Sequence, residues 1–358
     1  MAEVLMYGVE LESRCLTNVP ADEDTVAFLV GTQNMKLVNQ ICKVHLDGSR
    51  IVAATYPHAA GEVRGLASDP HDASRLATTS SDYGKLTAAH SLNLYRMVDE
   101  DERLEEVQTV QLNAEGNSLE WEPEGNRLAT LQNNRLVVYD AEKGLESAWE
   151  HPLGGGSAAV VRFSTHHQGN VIGVPVDRNL VMVDLRTKGE AGRIREAHSL
   201  RALFLDFNPN LQHVSASCGR DGFVRIWDWR QPDSALAAFP AHAHWANQVR
   251  YHPVHDQLIL SCGVDASLVL TSAQSVSSDA NEEPEEEDDA DGEEDVDASA
   301  STCGLPDGQL ERIDEHDDSV YGCAWSTADP WTFASLSYDG RVLISHVNRE
   351  HKYALMRL

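Results

Sequence analysis

The 358-residue chain carries 57 Asp and Glu against 28 Lys and Arg, a formal charge of −29, with 42 % hydrophobic residues, enough for a folded interior. Binding nucleic acid or anionic lipid electrostatically needs clustered Lys and Arg to neutralise phosphates, and no such stripe occurs, so neither class of partner is expected. The N-terminal MAEVLMYGVELESR lacks the basic and apolar regions of a secretory leader, and nothing approaches the ~20 consecutive apolar residues of a bilayer span.

In chain order, LMYGVELE (5–12), TVAFLVGT (25–32) and NQICKVHL (39–46) are predicted as the first three strands of one unit, with IVAATYP (51–57) as its fourth. His58 then stands ahead of VRGLASDP, RLATTSSD, HSLNLYRM and EEVQTVQL, a second unit. SLEWEPEG anchors a third at Trp121, closed by LESAWEH, and VVRFSTHH a fourth at Phe163, closed by GRIREAH. LFLDFNPN and ALAAFPAH frame a fifth, NQVRYHPV and QLERIDEH a sixth, YGCAWSTA and KYALMRL a seventh. Anchors Phe163, Phe207 and Tyr251 are 44 residues apart, Trp121 lies 42 before the first, and Trp325 follows 74 after the last. The long gap holds one unit plus about thirty extra residues.

The best-formed unit is AHSLRALFLDFNPNLQHVSASCGRDGFVRIWDWR. His198, Ser217, Asp221 and Trp227 look like parts of a hydrolase triad, yet they recur. His242, Ser261 and Asp265 take the same places in the next unit, and His316, Ser335 and Asp339 in the last. A catalytic site has no reason to recur in successive units, whereas a buried polar chain that fixes each unit's geometry does. Thr271 and Ser345 replace the Trp, so those two chains are expected to be shorter and weaker. A period near 44, four short strands per unit and His…Trp-Asp punctuation define an all-β, seven-bladed WD40 β-propeller, four antiparallel strands per blade. It occupies 1–358 as one domain. How the last blade completes its sheet, from the C-terminus or from residues 1–6, stays open.

The run NEEPEEEDDADGEEDVD (281–297) contains no basic residue and falls between the third and fourth strands of blade six. Its composition predicts a disordered acidic loop over 275–305 that the ring tolerates, since loop closure costs only ~0.6 kcal/mol per doubling of length. Deleting 279–300 is accordingly expected to leave thermal stability largely intact. Cys15, Cys42, Cys218, Cys262, Cys303 and Cys323 are scattered, with no Cys-x-x-Cys pair, and read as reduced thiols; neither metal nor cofactor is expected. GGG at 154–156 lacks the Lys-Ser/Thr of a phosphate loop, and His166-His167 reads as a connecting loop, so no catalytic residue is assigned.

FLVGTQNMKLVNQI (28–41), LDFNPN (205–210), HWANQVRYHPVHDQLIL (244–260) and HDDSVYGCAWSTADPWTFASLSYDGRV (316–342) resemble one WD-repeat family. Its members interact with the endosome-associated recycling (EARP) and Golgi-associated retrograde (GARP) tethering complexes. The resemblance extends to length, blade order and an acidic insertion before the last repeat. It implies a non-enzymatic, monomeric scaffold that binds tether subunits and helps recruit them in endosomal recycling, retrograde endosome-to-Golgi transport and secretory vesicle sorting. Such a protein would be cytoplasmic, held peripherally at endosomes and the trans-Golgi network by its partners. No partner-binding residue is carried over from the family.

Two other readings have local support. Trp227, Asp228 and Arg230 match the W-D-x-R box through which some WD40 proteins dock a cullin ubiquitin-ligase adaptor, with VDLR (183–186) as a partial copy. The acidic run suits a histone-binding chaperone, although no basic import cluster accompanies it. Trp245, Tyr338 and Arg341 stand in or beside loops and are the candidate partner-binding residues. Trp331, following Pro330, is expected to pack on its own blade.

Overall fold

The computed structural model describes residues 4–84, 88–281 and 305–356. Seven four-stranded antiparallel sheets form the molecule. The innermost strands of blades one to seven are Ser13–Asn18, Glu62–Ser68, Gly116–Trp121, Arg162–Phe163, Ala202–Phe207, Ala246–Tyr251 and Val320–Trp325. Each blade is covered by a neighbour on both faces. Its second strand therefore loses the hydrophobic alternation of a half-exposed sheet: Ala27–Thr32, Val171–Val176, Val214–Gly219, Leu258–Gly263 and Thr332–Ser337 are buried at every position.

The core lies between blades. One cluster joins Val214, Ala216, Cys218 and Ile226 of blade five to Val249, Tyr251, Ile259 and Val269 of blade six. Another joins Val9, Leu336, Val342 and Ile344 to Leu16, Phe28, Val30 and Val44, across the junction of blades seven and one. Cys218 and Cys42 belong to these two clusters; burial lifts Cys15 to about 12 and raises Cys42, and the five described cysteines are free. Cys303 lies outside the described residues.

Closure corrects two expectations. Residues 5–8, predicted as part of blade one's first strand, form the outer strand of blade seven. Leu5–Gly8 pairs antiparallel with Arg341–His346, Leu5 opposite Ile344 and Gly8 opposite Arg341. The innermost strand of blade one is Ser13–Asn18 instead. KYALMRL, predicted as the seventh outer strand, contributes to a helix, Arg349–Leu355, whose N-terminus is capped by Asn348 accepting from the Glu350 amide at 3.1 Å. The N-terminal strand already occupies the edge that KYALMRL would have joined. A tight approach fixes the joint: Gly340 (φ +87°) has no room for a side chain, because any Cβ there would strike the Val9 carbonyl. The Val9 amide donates to the Gly340 carbonyl at 2.8 Å.

Most of the acidic run lies outside the described residues. Residues 275–281, expected to be disordered, are part of two short 3-10 turns spanning Gln274–Val276 and Ser278–Asn281. Ser278 Oγ donates to Asp256 Oδ1 at 2.7 Å, and the Ser275 amide to Asp307 Oδ1 at 3.0 Å. The strand that resumes, Gly308–Ile313, is the outer strand of blade six.

Candidate interaction site

Strand direction gives the ring two faces. The entry face carries the connections into each innermost strand and the turns between second and third strands; the exit face carries the remaining connections. In blade five, His198 arrives on the entry face and is fully buried. Its Nδ1 donates to Asp221 Oδ1 at 2.9 Å, while Nε2 lies 2.8 Å from Ser217 Oγ, which accepts from Trp227 Nε1 at 3.0 Å. The carboxylate fixes the tautomer, so the hydroxyl proton points to Nε2 and every member is satisfied. Burial holds His198 neutral, below its ordinary value. Burial pushes Asp221 up, but the His198 hydrogen bond and Arg225, 2.8 Å away, bring it well below the carboxylate range. His198, Ser217 and Asp221 thus form a structural chain with no exposed nucleophile.

The chain fades around the ring. In blade six, His242 pairs with Asp265 at 2.9 Å and Ser261 at 2.9 Å, with Thr271 in the Trp position. In blade seven, His316 meets Ser335 at 2.8 Å, but its buried Nδ1 has no partner. Asp339 has turned to Ser337 and to Arg341, 3.2 Å away. Blade two holds a version built on His58, whose Nε2 lies 3.0 Å from Thr78 Oγ1 and whose Nδ1 meets the Gly61 carbonyl at 3.0 Å.

Trp245, Tyr338 and Arg341 all lie on the entry face, but in different company. Trp245 is 38 % exposed, with the Arg220 guanidinium 4.2 Å above its ring. Tyr338 is half-buried, 5.9 Å from Tyr321, and Arg14 covers both rings at 5.0 and 4.7 Å. Arg341 is held by Asp317 and Asp339 and is neutralised where it stands. The same face exposes Met35 (80 %), Leu37 (60 %) and Val38 (69 %) in the second turn of blade one, beside a cavity of about 300 Å³ lined also by His58, Glu62 and Tyr83. Sequence reasoning passed over this turn, although the apolar run MKLV where polar turn residues are the rule was its signal.

A second feature missed in the sequence lines the axis. Glu120, Arg162, Asp206 and Arg250 each immediately precede the anchor aromatic of blades three to six. Arg162 reaches Glu120 Oε1 at 2.5 Å and Asp206 Oδ1 at 2.6 Å, and Arg250 lies 3.8 Å from the same Asp206 oxygen. Glu120 also accepts from the Phe163 amide at 2.7 Å, and Asp206 from the Tyr251 amide at 2.9 Å. All seven blades contribute to the surrounding cavity, about 610 Å³. Burial raises Glu120 to about 7 against the pull of Arg162 and Arg250. Two acidic side chains face two guanidiniums, so the set staples four blades together. Its signal was one column of alternating sign at the repeat spacing.

On the exit face, Arg230 donates to both Asp228 oxygens, Nη2 at 2.6 Å and Nε at 3.0 Å, and its amide donates to Asp228 Oδ1 at 2.8 Å. Arg186 repeats this on Asp184 in blade four. Recurrence and the local amide bond account for Asp228 and Arg230 as a strand-end turn, while the Arg230 side chain remains exposed. Trp227 belongs to the buried chain. Trp331 packs on blade seven's Phe333-containing core and also against His252 and His255 of blade six, under Lys352. Among the described residues, no group of three or more His, Cys, Asp or Glu is placed to hold a metal, and no helix is long and apolar enough to cross a membrane.

A closed ring of seven four-stranded blades, stitched by His–Ser–Asp chains and exposing aromatic loops, defines a WD40-repeat propeller, a class of interaction protein that is generally non-catalytic. The model of the EIPR1 beta-propeller family matches residues 1–271, that of the WD domain, G-beta repeat matches 308–344, and the chain belongs to the EIPR1 beta-propeller family. It is 47 % identical to EARP-interacting protein 1 of Caenorhabditis elegans, over the whole of both chains. It is 33 % identical to EARP and GARP complex-interacting protein 1 of Homo sapiens, over 98 % of each. WD repeat-containing protein DWA2 of Arabidopsis thaliana is 29 % identical, over 95 % of each.

Proposed function

We propose that this chain is a non-enzymatic scaffold that binds subunits of EARP- and GARP-type tethering complexes. By helping to recruit them, it supports endosomal recycling, retrograde transport to the trans-Golgi network and secretory vesicle sorting. It acts as a monomeric cytoplasmic propeller, brought to membranes by its partners. The observation that carries the reading is end-to-end similarity to proteins named for interaction with those complexes, including 47 % identity over the whole chain. Support also comes from the entry face, where half-exposed Trp245 and Tyr338 stand on a rigid frame suited to peptide or subunit contact. The test is affinity purification of the tagged chain from cells with mass spectrometry. Recovery of tether subunits is the expected result; a cullin adaptor or histones in their place overturns it.

A further inference from the structure

Three guanidiniums on the entry face are held without a carboxylate. Arg14 covers Tyr321 and Tyr338, and Arg220 covers Trp245. Arg201, immediately before the innermost strand of blade five, donates from Nη2 to the Ala158 carbonyl at 3.2 Å. Its own carbonyl accepts from the Arg220 amide at 2.8 Å, which makes the two arginines neighbours. None of the three forms an ion pair among the described residues, although the chain holds two acids for every base. Their neighbours show the alternative. Arg225 is paired to Asp221, Arg312 to Asp265 and Asp314, and Arg64, which stacks on Tyr83, to Glu62 and Glu115.

The pair in blade five is under-satisfied in a particular way. The Nε–H groups of both Arg201 and Arg220 are buried with no hydrogen-bond acceptor; those of Arg64 and Arg250 are too, but each of those guanidiniums has a carboxylate within 4 Å. A buried N–H without an acceptor costs ordinary hydrogen-bond energy, so such groups usually mark an absent partner. Burial first, and then the like charge of Arg220, lowers Arg201, while Asp177 partly offsets them. Asp177 is itself engaged by the Ser157 amide at 2.8 Å. Two adjacent cations beside a half-exposed indole call for an anion with an apolar neighbour. A guanidinium fork matches a carboxylate in two parallel hydrogen bonds, and arginine stacked on an aromatic ring keeps those donors free at its edge.

We propose that Arg201, Arg220 and Trp245, with Arg14, Tyr321 and Tyr338 on the adjoining blades seven and one, form a docking surface for an acidic peptide segment of a partner protein. A Glu or Asp carboxylate enters between Arg201 and Arg220, and an adjacent apolar side chain lies on Trp245. This deepens the scaffold reading and rests on it for the identity of the partner. The chain's overall charge of −29 opposes an acidic ligand at long range, but beyond ~8 Å that repulsion is screened at physiological salt, which leaves the local guanidiniums to decide the contact.

The probe is a fluorescein-labelled decapeptide with glutamates flanking a central leucine, titrated by anisotropy into the full chain. A lysine counterpart and a phosphoserine counterpart serve as the other arms. The glutamate peptide is expected to bind, the lysine peptide not. Arg220→Glu and Trp245→Ala should each weaken binding about tenfold or more, and Arg103→Glu, on the outer strand of blade two, should leave it unchanged. Peptide-dependent protection from hydrogen exchange in 199–203, 219–222 and 243–247 of the unmutated chain reads the same site without relying on variants. No binding, binding equal to that of the lysine peptide, protection confined to the exit face, or capture of the phosphoserine peptide alone would each overturn the proposal. Tether subunits that co-purify undiminished with Arg220→Glu/Trp245→Ala also remove this surface and leave the scaffold reading standing. Peptide binding with no tether subunit recovered does the reverse.

Discussion

Ser217→Ala removes one hydroxyl from the middle of the blade-five chain, which makes it a sharp probe of whether that chain stabilises the ring. The hydroxyl accepts from Trp227 Nε1 and donates to His198 Nε2, and both partners are buried. With Asp221 holding the His198 tautomer, the variant leaves one orphan donor and one orphan acceptor. At ~1–3 kcal/mol for each of the two buried unsatisfied groups the loss is about 2–6 kcal/mol. Ser261→Ala in blade six, where Thr271 stands in place of Trp, orphans only His242 Nε2 and should cost about 1–3 kcal/mol. With an unfolding entropy of ~2.1 cal/mol/K per residue, a 3 kcal/mol loss lowers the Tm of a chain this long by roughly 4 °C. Urea midpoints at unchanged m-value measure the difference, and adding Trp227→Phe to each background closes a double-mutant cycle. A Ser217→Ala loss no larger than that of Ser261→Ala, or no coupling to Trp227, would refute the reasoning.

Removing residues 1–8 strips the closing strand and bares the Arg341–His346 edge, so the ring should lose thermal stability and self-associate; a monomer with unchanged Tm by light scattering and calorimetry counts against this closure. Gly340→Ala, whose Cβ strikes the Val9 carbonyl, should weaken the same joint while the analogous change at exposed Gly154 does much less, read again by Tm. Burial lowers His58 and His316 to about 4, so each is neutral when folded and protonates near 6.5 when unfolded. The stability they contribute is complete above about pH 6.5 and is lost as pH falls through about 4; urea midpoints at pH 7.5 and 4.5 test it, and His316→Gln should flatten the slope. Glu120 has the opposite sign: raised from its ordinary value to about 7, it contributes stability that is lost as pH rises through about 7. Glu120→Gln should therefore be less destabilising at pH 8 than at pH 5, and an equal effect at both would contradict the raised value.

Much of this architecture was legible because it repeats. His198, His242 and His316 each stand nine residues before an anchor aromatic, and a period of 44 aligns Ser217 with Ser261 and Asp221 with Asp265 without any coordinates. The channel column could have been aligned in the same way, since Glu120, Arg162, Asp206 and Arg250 share one place in the repeat. That they touch could not, because contact depends on how closely neighbouring blades pack around the axis. The entry-face arginines show the same limit from the other side. Arg14 and Tyr338 are 324 positions apart in the chain, and only the closed ring brings the guanidinium over the phenol.

Local pattern alone determines that this chain makes short strands in units of about 44 residues, with a polar chain strongest in blade five and fading toward blade seven. Hydrophobic alternation and turn residues act within a few positions, so they register strands and turns wherever these fall. They do not say which sheet a terminal strand completes. Residues 5–8 read as an extended segment next to blade one, yet they pair with 341–344, because the last blade had a free edge and the N-terminal strand could satisfy its hydrogen bonds. With that edge taken, KYALMRL had no strand to join, and its residues 352–355 entered a capped helix beside Trp331. Which residues meet at the closed mouth, and which guanidiniums are left there without an acid, was decided by the ring.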